Sequence, residues 1–223
     1  MIEDIKKELN MRAEDVYRDF SKKLIPEASL PLIGVRLPAL RAMAAEIVKR
    51  GEGMQFLDCC DFSSMEMCFL YAYVLGKTKS DINTLIKYFD KAAHYVDNWS
   101  TCDILCQSFK QCEKHQSEVW ERLTVYLASG KTYYMRIAVV TMMSHYLNDE
   151  YIDRVFAALR TMMSIIIRWR QPGVPPRLWR NTVIKPTVFL KPAALTIGLI
   201  TNLFKKCWNR AVYRMRISKG CAQ

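Results

Sequence analysis

A tryptophan and an aspartate lie four residues apart in the stretch "NWSTCD", at Trp99 and Asp103. On a helix capped by Asp97 or Asn98, positions i and i+4 project from the same face within the first two turns. A carboxylate beside an aromatic wall can stabilise a cation that develops during a reaction. The spacing therefore predicts a cation-stabilising pair at the start of this helix.

A third candidate lies one unit further along the chain, where "TYYMRIAVV" places Arg136 near the start of its own helix. If segments 98–110 and 132–147 are the second helices of consecutive helix pairs, Trp99, Asp103 and Arg136 share one concave surface. A purely structural interpretation is also open: Trp99 is a core aromatic, Asp103 a solvated or helix-start acid, and Arg136 an ion-pair partner. The spacing alone does not distinguish the shared functional surface from the purely structural interpretation.

The helical period that positions these residues runs through the first 163 residues of the chain. Apolar residues recur at i, i+3 and i+4, and Gly, Pro, Asp, Ser or Thr lie at the breaks. Three of the predicted helices start at residues 64, 98 and 132, about 34 residues apart, which suits stacked helix pairs better than a compact bundle. We predict an all-α solenoid of HEAT-like helix pairs. The predicted helices are 11–23, 37–50, 64–77, 81–93, 98–110, 115–129, 132–147 and 149–163.

The formal net charge of +11 is confined to the C-terminal part of the chain. Residues 161–223 contain 12 Lys and Arg but no Asp or Glu, so residues 1–160 hold 21 basic and 22 acidic residues, a net charge of −1. Five prolines between positions 172 and 192 also interrupt the apolar runs there, and they would end a helix every few residues. We therefore predict two parts, a HEAT-like α-solenoid at 1–163 and an irregular basic tail at 164–223.

The cysteines and the N-terminal residues indicate where the protein resides. The eight cysteines lie mostly inside helical patterns and lack a paired CxxC spacing, which indicates buried thiols in a reducing compartment. A metal site through Cys106, Cys112 and His115 would fit none of the usual zinc spacings. The opening "MIEDIKKELN" is not a signal peptide, and no run reaches the ~18 apolar residues of a spanning helix. We expect a cytoplasmic protein.

Four motifs within residues 3–163 resemble the successive signatures of the DNA alkylation repair (AlkD-like) family: "PLIGVRLPALRAMAAEIVK", "YVDNWSTCDILCQSF", "YYMRIAVVTMM" and "LNDEYIDRVFAAL". The Trp-x-x-x-Asp element and the later Arg are the most specific of these. The resemblance implies a right-handed solenoid of HEAT-like helix pairs whose basic concave face holds duplex DNA. It also implies a DNA glycosylase that releases N3- and N7-alkylated purines. The alternative is a non-catalytic HEAT-like scaffold that binds nucleic acid or protein.

The resemblance also implies a role for each candidate residue. Trp99 would lie against the deoxyribose of the lesion, Asp103 would stabilise the oxocarbenium-like sugar and orient the attacking water, and Arg136 would hold a backbone phosphate. Because an alkylated purine is already a cationic leaving group, no metal or nucleotide cofactor is needed. The expected partner is duplex DNA containing alkylated bases. We expect the protein to act as a monomer and not to associate with a membrane. Three further residues are expected to contact the DNA: Arg36, Arg41 and Tyr133.

The family's solenoid continues with a helix that begins like "YYxxMAxAW", and residues 164–223 contain nothing similar. Ile165–Val174 can, however, be encoded so that reading one nucleotide earlier gives "YYQMAAAWG". The same offset makes the stretch around Leu195–Arg210 similar to the family's last repeat. We therefore hypothesise that the chain after about 161–164 is an out-of-frame translation and that the activity is impaired as written. The alternative is a genuine nucleic-acid or membrane-surface arm.

Overall fold

The structure, a computed structural model, describes residues 1–26 and 28–168, with side chains up to residue 160. Contacts divide the chain into a unit of Met1–Leu159 and a unit of Arg160–Gln223. The architecture that follows is that of the first unit. The predicted boundary at residue 163 stays a prediction, because most of the proposed tail, residues 169–223, lies outside the described residues.

The described part of the chain is all-helical, and it contains no β-strand. A single 3-10 turn, Lys110–Glu113, lies between the seventh and eighth α-helices. The predicted fold class is therefore confirmed. The α-helices are α1 (Ile2–Met11), α2 (Asp15–Leu24), α3 (Leu37–Lys49), α4 (Gly53–Cys59), α5 (Met65–Lys77), α6 (Ile82–Ala93), α7 (Trp99–Ser108), α8 (Gln116–Ala128), α9 (Thr132–His145) and α10 (Ile152–Arg168).

Helices α3, α5, α7 and α9 form one layer, in which each helix packs on the next. Helices α4, α6 and α8 pack against this layer and pair with α5, α7 and α9 respectively. The second helices of the three pairs begin at Met65, Trp99 and Thr132, close to the predicted spacing. Stacked pairs that contact their neighbours in the chain fit the predicted solenoid. The HEAT-like type of the repeat stays a prediction.

Helices α5 and α9 of this layer are buried over most of their length. The sequence "MEMCFLYAYVLGK" of α5 has nine buried residues, and every residue of α9 from Met135 to Met143 is buried. A helix that is buried on most of its faces is typically apolar around most of its circumference. The charged residue within the buried run of α9, Arg136, therefore needs a specific partner.

A buried carboxylate holds the segment that leads into α3. Glu66, with 1% of its surface exposed, accepts hydrogen bonds from the backbone amides of Ile33 at 2.9 Å, Gly34 at 2.7 Å and Val35 at 3.3 Å. Gly34 has a φ of +106°, and a Cβ there would come within 2.7 Å of the Glu14 carbonyl oxygen. The position therefore requires glycine. This contact fixes where α3 begins relative to α5.

Helices α1 and α4 differ from the prediction because no helix was expected at either place, and α10 ends later than predicted. Helix α1 (Ile2–Met11) carries only Ile5 and Leu9 in the core, so its apolar pattern is sparse. Helix α4 (Gly53–Cys59) has seven residues, too few for a helical period to repeat. Helix α10 was predicted at 149–163 but spans Ile152–Arg168, so helical backbone continues into the predicted tail.

The lengths and compositions of the described helices differ from those of a membrane-spanning helix. A spanning helix needs about 20 apolar residues to cross the hydrocarbon core. None of the helices within residues 1–26 and 28–168 is long and apolar enough to do so.

Candidate active site

The start of α7 is fixed by a buried cap. The side-chain oxygen of Asn98 accepts hydrogen bonds from the backbone amides of Ser100 at 3.0 Å and Thr101 at 3.1 Å. Asn98 is buried, and its own amide donates to Asp97 at 2.8 Å. Of the two candidates that the sequence left open, Asn98 is thus the cap and Asp97 supports it.

The segment that follows α2 lies against this same helix start. The indole N–H of Trp99 donates to the carbonyl oxygen of Leu24 at 3.3 Å, and the backbone amide of Ser29 donates to Asp97 at 2.7 Å. Trp99 itself is half-buried. Its ring is therefore anchored at the nitrogen while part of its surface remains accessible. The sequence offered no signal for this contact, because Leu24 and Trp99 are 75 residues apart.

Asp103 and Arg136 form an ion pair between α7 and α9. The distance from Arg136 Nη2 to Asp103 Oδ1 is 3.0 Å, and the exposed fractions of the two side chains are 0% and 15% respectively. Burial lowers the pKa of the Arg136 guanidinium, but the neighbouring Cys102 and Asp103 outweigh that effect, so the net shift of its pKa is upward. The guanidinium thus remains a cation behind the carboxylate, and only the carboxylate reaches the surface.

Arg36, Arg41 and Tyr133 differ in what they contact. Arg36 is exposed but donates two hydrogen bonds of 2.8 Å to Glu14, and this pairing lowers the pKa of the Glu14 carboxyl. Arg41 is exposed on α3, with its guanidinium 5.4 Å from the centre of the Tyr73 ring. Tyr133 is half-buried at the start of α9 and close enough to Arg136 to act on its charge.

Cys106, Cys112 and His115 do not form a metal site in the described part of the chain. Within residues 1–26 and 28–168, no group of three or more His, Cys, Asp and Glu side chains is placed to hold a metal ion. Cys106 and Cys112 are buried in the core, and burial raises the pKa of both thiols. His115 lies instead 3.7 Å from Glu118, one turn along the chain.

Together these contacts place an accessible carboxylate and a fixed indole on the first two turns of α7. Such a pair can lie against a ligand whose charge becomes positive, and the buried guanidinium orients the carboxylate for it. The described part of the chain is thus a stack of helix pairs in which a carboxylate, an indole and a buried guanidinium meet at the start of α7.

The chain belongs to the DNA alkylation repair enzyme family, because the family model matches residues 3–165. No curated protein and no solved structure matches the chain. The match ends at residue 165, next to residues 161–164, after which we hypothesise a change of reading frame. Membership indicates a role in DNA repair, with DNA as the partner.

Removing the cap of α7 is expected to loosen the candidate site. Replacing Asn98→Ala should lower the free energy of unfolding by about 1–2 kcal/mol, because two backbone amides lose their acceptor. Urea denaturation measures this loss, and amide hydrogen exchange should accelerate at Ser100 and Thr101. Asp81→Ala is the matched control, since Asp81 caps α6 through the Thr84 amide at 2.9 Å. It should destabilise similarly without faster exchange in α7. Unchanged exchange at Ser100 and Thr101 in Asn98→Ala would contradict the role of the cap.

Proposed function

We propose that the site hydrolyses the N-glycosidic bond of N3- and N7-alkylated purines in duplex DNA, with a HEAT-like solenoid as its scaffold. The observation that carries this proposal is the ion pair of Asp103 and Arg136 beside Trp99. Asp103 is held at 3.0 Å from a fully buried guanidinium yet keeps part of its surface exposed. A carboxylate placed in this way suits a cationic reaction intermediate better than a neutral substrate.

The reaction needs little proton transfer. The alkylated purine already carries a positive charge, so the C1′–N bond breaks with its electron pair passing to the base, which leaves neutral. The positive charge then moves to the sugar, where the Asp103 carboxylate stabilises it electrostatically. A water molecule oriented by Asp103 adds its oxygen to C1′ and releases a proton. Neither a metal nor a nucleotide cofactor takes part in this proposal.

Trp99 and Arg136 act on either side of the carboxylate. The half-buried indole of Trp99, held through its N–H by Leu24, presents its ring to the deoxyribose. Arg136 orients Asp103 from the protein interior. The phosphate contact that the family resemblance implies for Arg136 would require the guanidinium to leave Asp103, because its side chain has no exposed surface. We therefore propose Arg136 as a positioning residue for Asp103.

The proposal includes an impaired polypeptide. The family's second Trp wall would be encoded in the other reading frame, across the codons of Pro172 and Gly173, and these positions lie outside the described residues. A site with one aromatic wall positions the alkylated nucleotide less precisely. We propose that the protein with its reading frame restored acts as a monomer on duplex DNA in the cytoplasm, and that the polypeptide as written retains weak activity at most.

Restoring the reading frame is expected to raise the activity. The chain as written and a variant translated one nucleotide earlier from codon 164 are compared for release of 7-methylguanine from methylated duplex DNA. The restored variant should be at least about 10-fold faster, which corresponds to about 1.4 kcal/mol of additional transition-state stabilisation. Resequencing codons 155–180 and an intact mass near 26.0 kDa for the chain as written are the controls. Equal rates for both proteins would contradict the impairment, and no release by either would contradict the proposed reaction.

A further inference from the structure

An apolar stripe is exposed on one face of α2. Its residues Val16, Phe20 and Leu24 recur every four positions, so they lie on the same face of the helix. Their exposed fractions are 85%, 59% and 52% respectively. Of the six large apolar residues that are exposed in the described part of the chain, four lie between positions 11 and 24. The exposure is thus concentrated at one place, and such patches mark interaction sites.

Helix α2 is held at its two ends rather than along its length. Ser21 is its only buried residue, and none of the other described helices packs closely on it. At its start the backbone amide of Glu14 donates to the carbonyl oxygen of Gly34 at 3.1 Å. At its end the carbonyl oxygen of Leu24 accepts from Trp99 at 3.3 Å. An amphipathic helix normally turns its apolar face to the core, whereas these anchors leave that face of α2 at the surface.

The charged residues beside the stripe are divided along the helix. Asp15, Asp19 and Lys23 each precede a residue of the stripe, so all three lie along the same flank. Arg18 pairs with both acids, at 2.6 and 3.2 Å, and therefore balances only one of their two charges. No carboxylate of the described residues lies within 4.0 Å of Lys23. The flank is thus acidic at its start and basic at its end.

Such a helix is complementary to a second copy of itself. In an antiparallel contact about a two-fold axis at Phe20, Val16 meets Leu24 of the second copy, and Phe20 meets its own counterpart. The acidic end of each flank then lies opposite the basic end of the other, so Asp19 faces Lys23 of the second copy. A parallel contact would instead place like charges together. Charges arranged in this way fix the orientation of an interface more than its affinity.

The exposed area fits a weak and reversible dimer. Large apolar side chains have on the order of 150–200 Å² to bury, so the three residues of the stripe leave roughly 300 Å² exposed on each copy. Met11, at the end of α1, is exposed as well. With Met11 and a polar rim, a symmetric contact would bury roughly 1,000 Å² in total, the lower limit for a specific interface. Monomer and dimer should therefore exchange readily.

We propose that two copies of the protein pair through α2 in the absence of DNA, with Val16, Phe20 and Leu24 at the centre of an antiparallel contact. This inference goes beyond the proposed function, in which a monomer acts on duplex DNA. The carbonyl oxygen of Leu24 holds the indole of Trp99, so the second copy lies beside the candidate active site. Pairing thus covers a surface next to Trp99 that the monomer exposes.

Sedimentation velocity of the full chain tests the contact. Between about 1 and 300 µM, where an interface of this size dissociates, the average mass should rise from 26.0 kDa towards twice that value. Phe20→Ser should weaken dimerisation at least about 10-fold, since both copies lose a central aromatic anchor. Val125→Ser is the matched control, because Val125 is 55% exposed on α8, and it should leave the dissociation constant unchanged. A chain that stays monomeric throughout, or equal dimerisation of the two variants, would overturn the proposal.

Charge reversal tests the antiparallel orientation. Asp19→Lys and Lys23→Asp should each weaken dimerisation about 5-fold, because like charges then face each other twice in the symmetric contact. An equimolar mixture of the two variants should dimerise as the unsubstituted chain does, since each substituted side chain meets an opposite charge in the other variant. The basic C-terminal residues are the same in every variant, so association through them would not respond. A mixture that dimerises no better than either variant alone overturns the antiparallel contact.

Discussion

Replacing Asp103→Asn should lower the rate of base release by about 100- to 1,000-fold, the usual loss when one electrostatic stabiliser is removed from a site. The amide has the size of the carboxylate but no charge, so it cannot stabilise a cationic sugar. The experiment uses the protein with its reading frame restored and measures single-turnover release of 7-methylguanine. DNA binding, measured on undamaged duplex, should remain within a few fold of the unsubstituted protein.

Asp149→Asn is the matched control for this substitution. Asp149 is exposed after α9, and its change removes the same charge from the protein surface. The rate of base release should remain unchanged in the Asp149→Asn variant. If Asp103→Asn released base as fast as Asp149→Asn does, the carboxylate would have no catalytic role. The chain would then fit the alternative of a binding scaffold.

Replacing Arg136→Met should lower the free energy of unfolding by about 3–5 kcal/mol, the cost of removing one partner of a buried ion pair. Arg136 has no exposed surface, and Asp103 has 15% of its side chain exposed, so the substitution removes the Arg136 charge from a carboxylate that is only partly exposed to solvent. Methionine fills a similar volume, which keeps the cavity term small. Urea denaturation measures the change.

Two further variants separate the ion pair from packing. Arg36→Met removes an exposed ion pair with Glu14. It should change the midpoint of urea denaturation very little, because surface ion pairs contribute little to stability. Adding Asp103→Leu to Arg136→Met should recover part of the loss, because no uncompensated charge then remains. Equal losses in Arg36→Met and Arg136→Met would show that burial of the pair does not matter.

The sequence predicted the helices whose apolar pattern repeats over several turns. Helices α5, α6, α7 and α9 begin within a residue of their predicted starts, and Asn98, one of the two cap candidates for α7, is its cap. Helix α4 was missed because seven residues show no period. The burial of Glu66 was also missed, although a single acid between Met65 and Met67 in an apolar helix is a signal of a bound partner.

The candidate site was predictable only as a set of residue types. The repeat spacing indicated that Asp103 and Arg136 lie on one surface, but it left open whether the two would pair with each other or with DNA. The pairing of Arg36 with Glu14, 22 residues earlier, depends on the path of the segment between α2 and α3. That path is set by the Glu66 carboxylate, a tertiary contact that no local pattern encodes.

The Asp103–Arg136 contact also bears on how a polyanion can dock on this surface at all. A solitary carboxylate about 10 Å from a phosphate, at an effective dielectric constant of 20, would repel it by about 1.7 kcal/mol, and several phosphates would add to that. With the guanidinium at 3.0 Å, the two residues form an electroneutral dipole whose field decays faster with distance. The backbone of the nucleic acid therefore meets little repulsion on approach. A positive charge that forms directly against the carboxylate still experiences its attraction at short range.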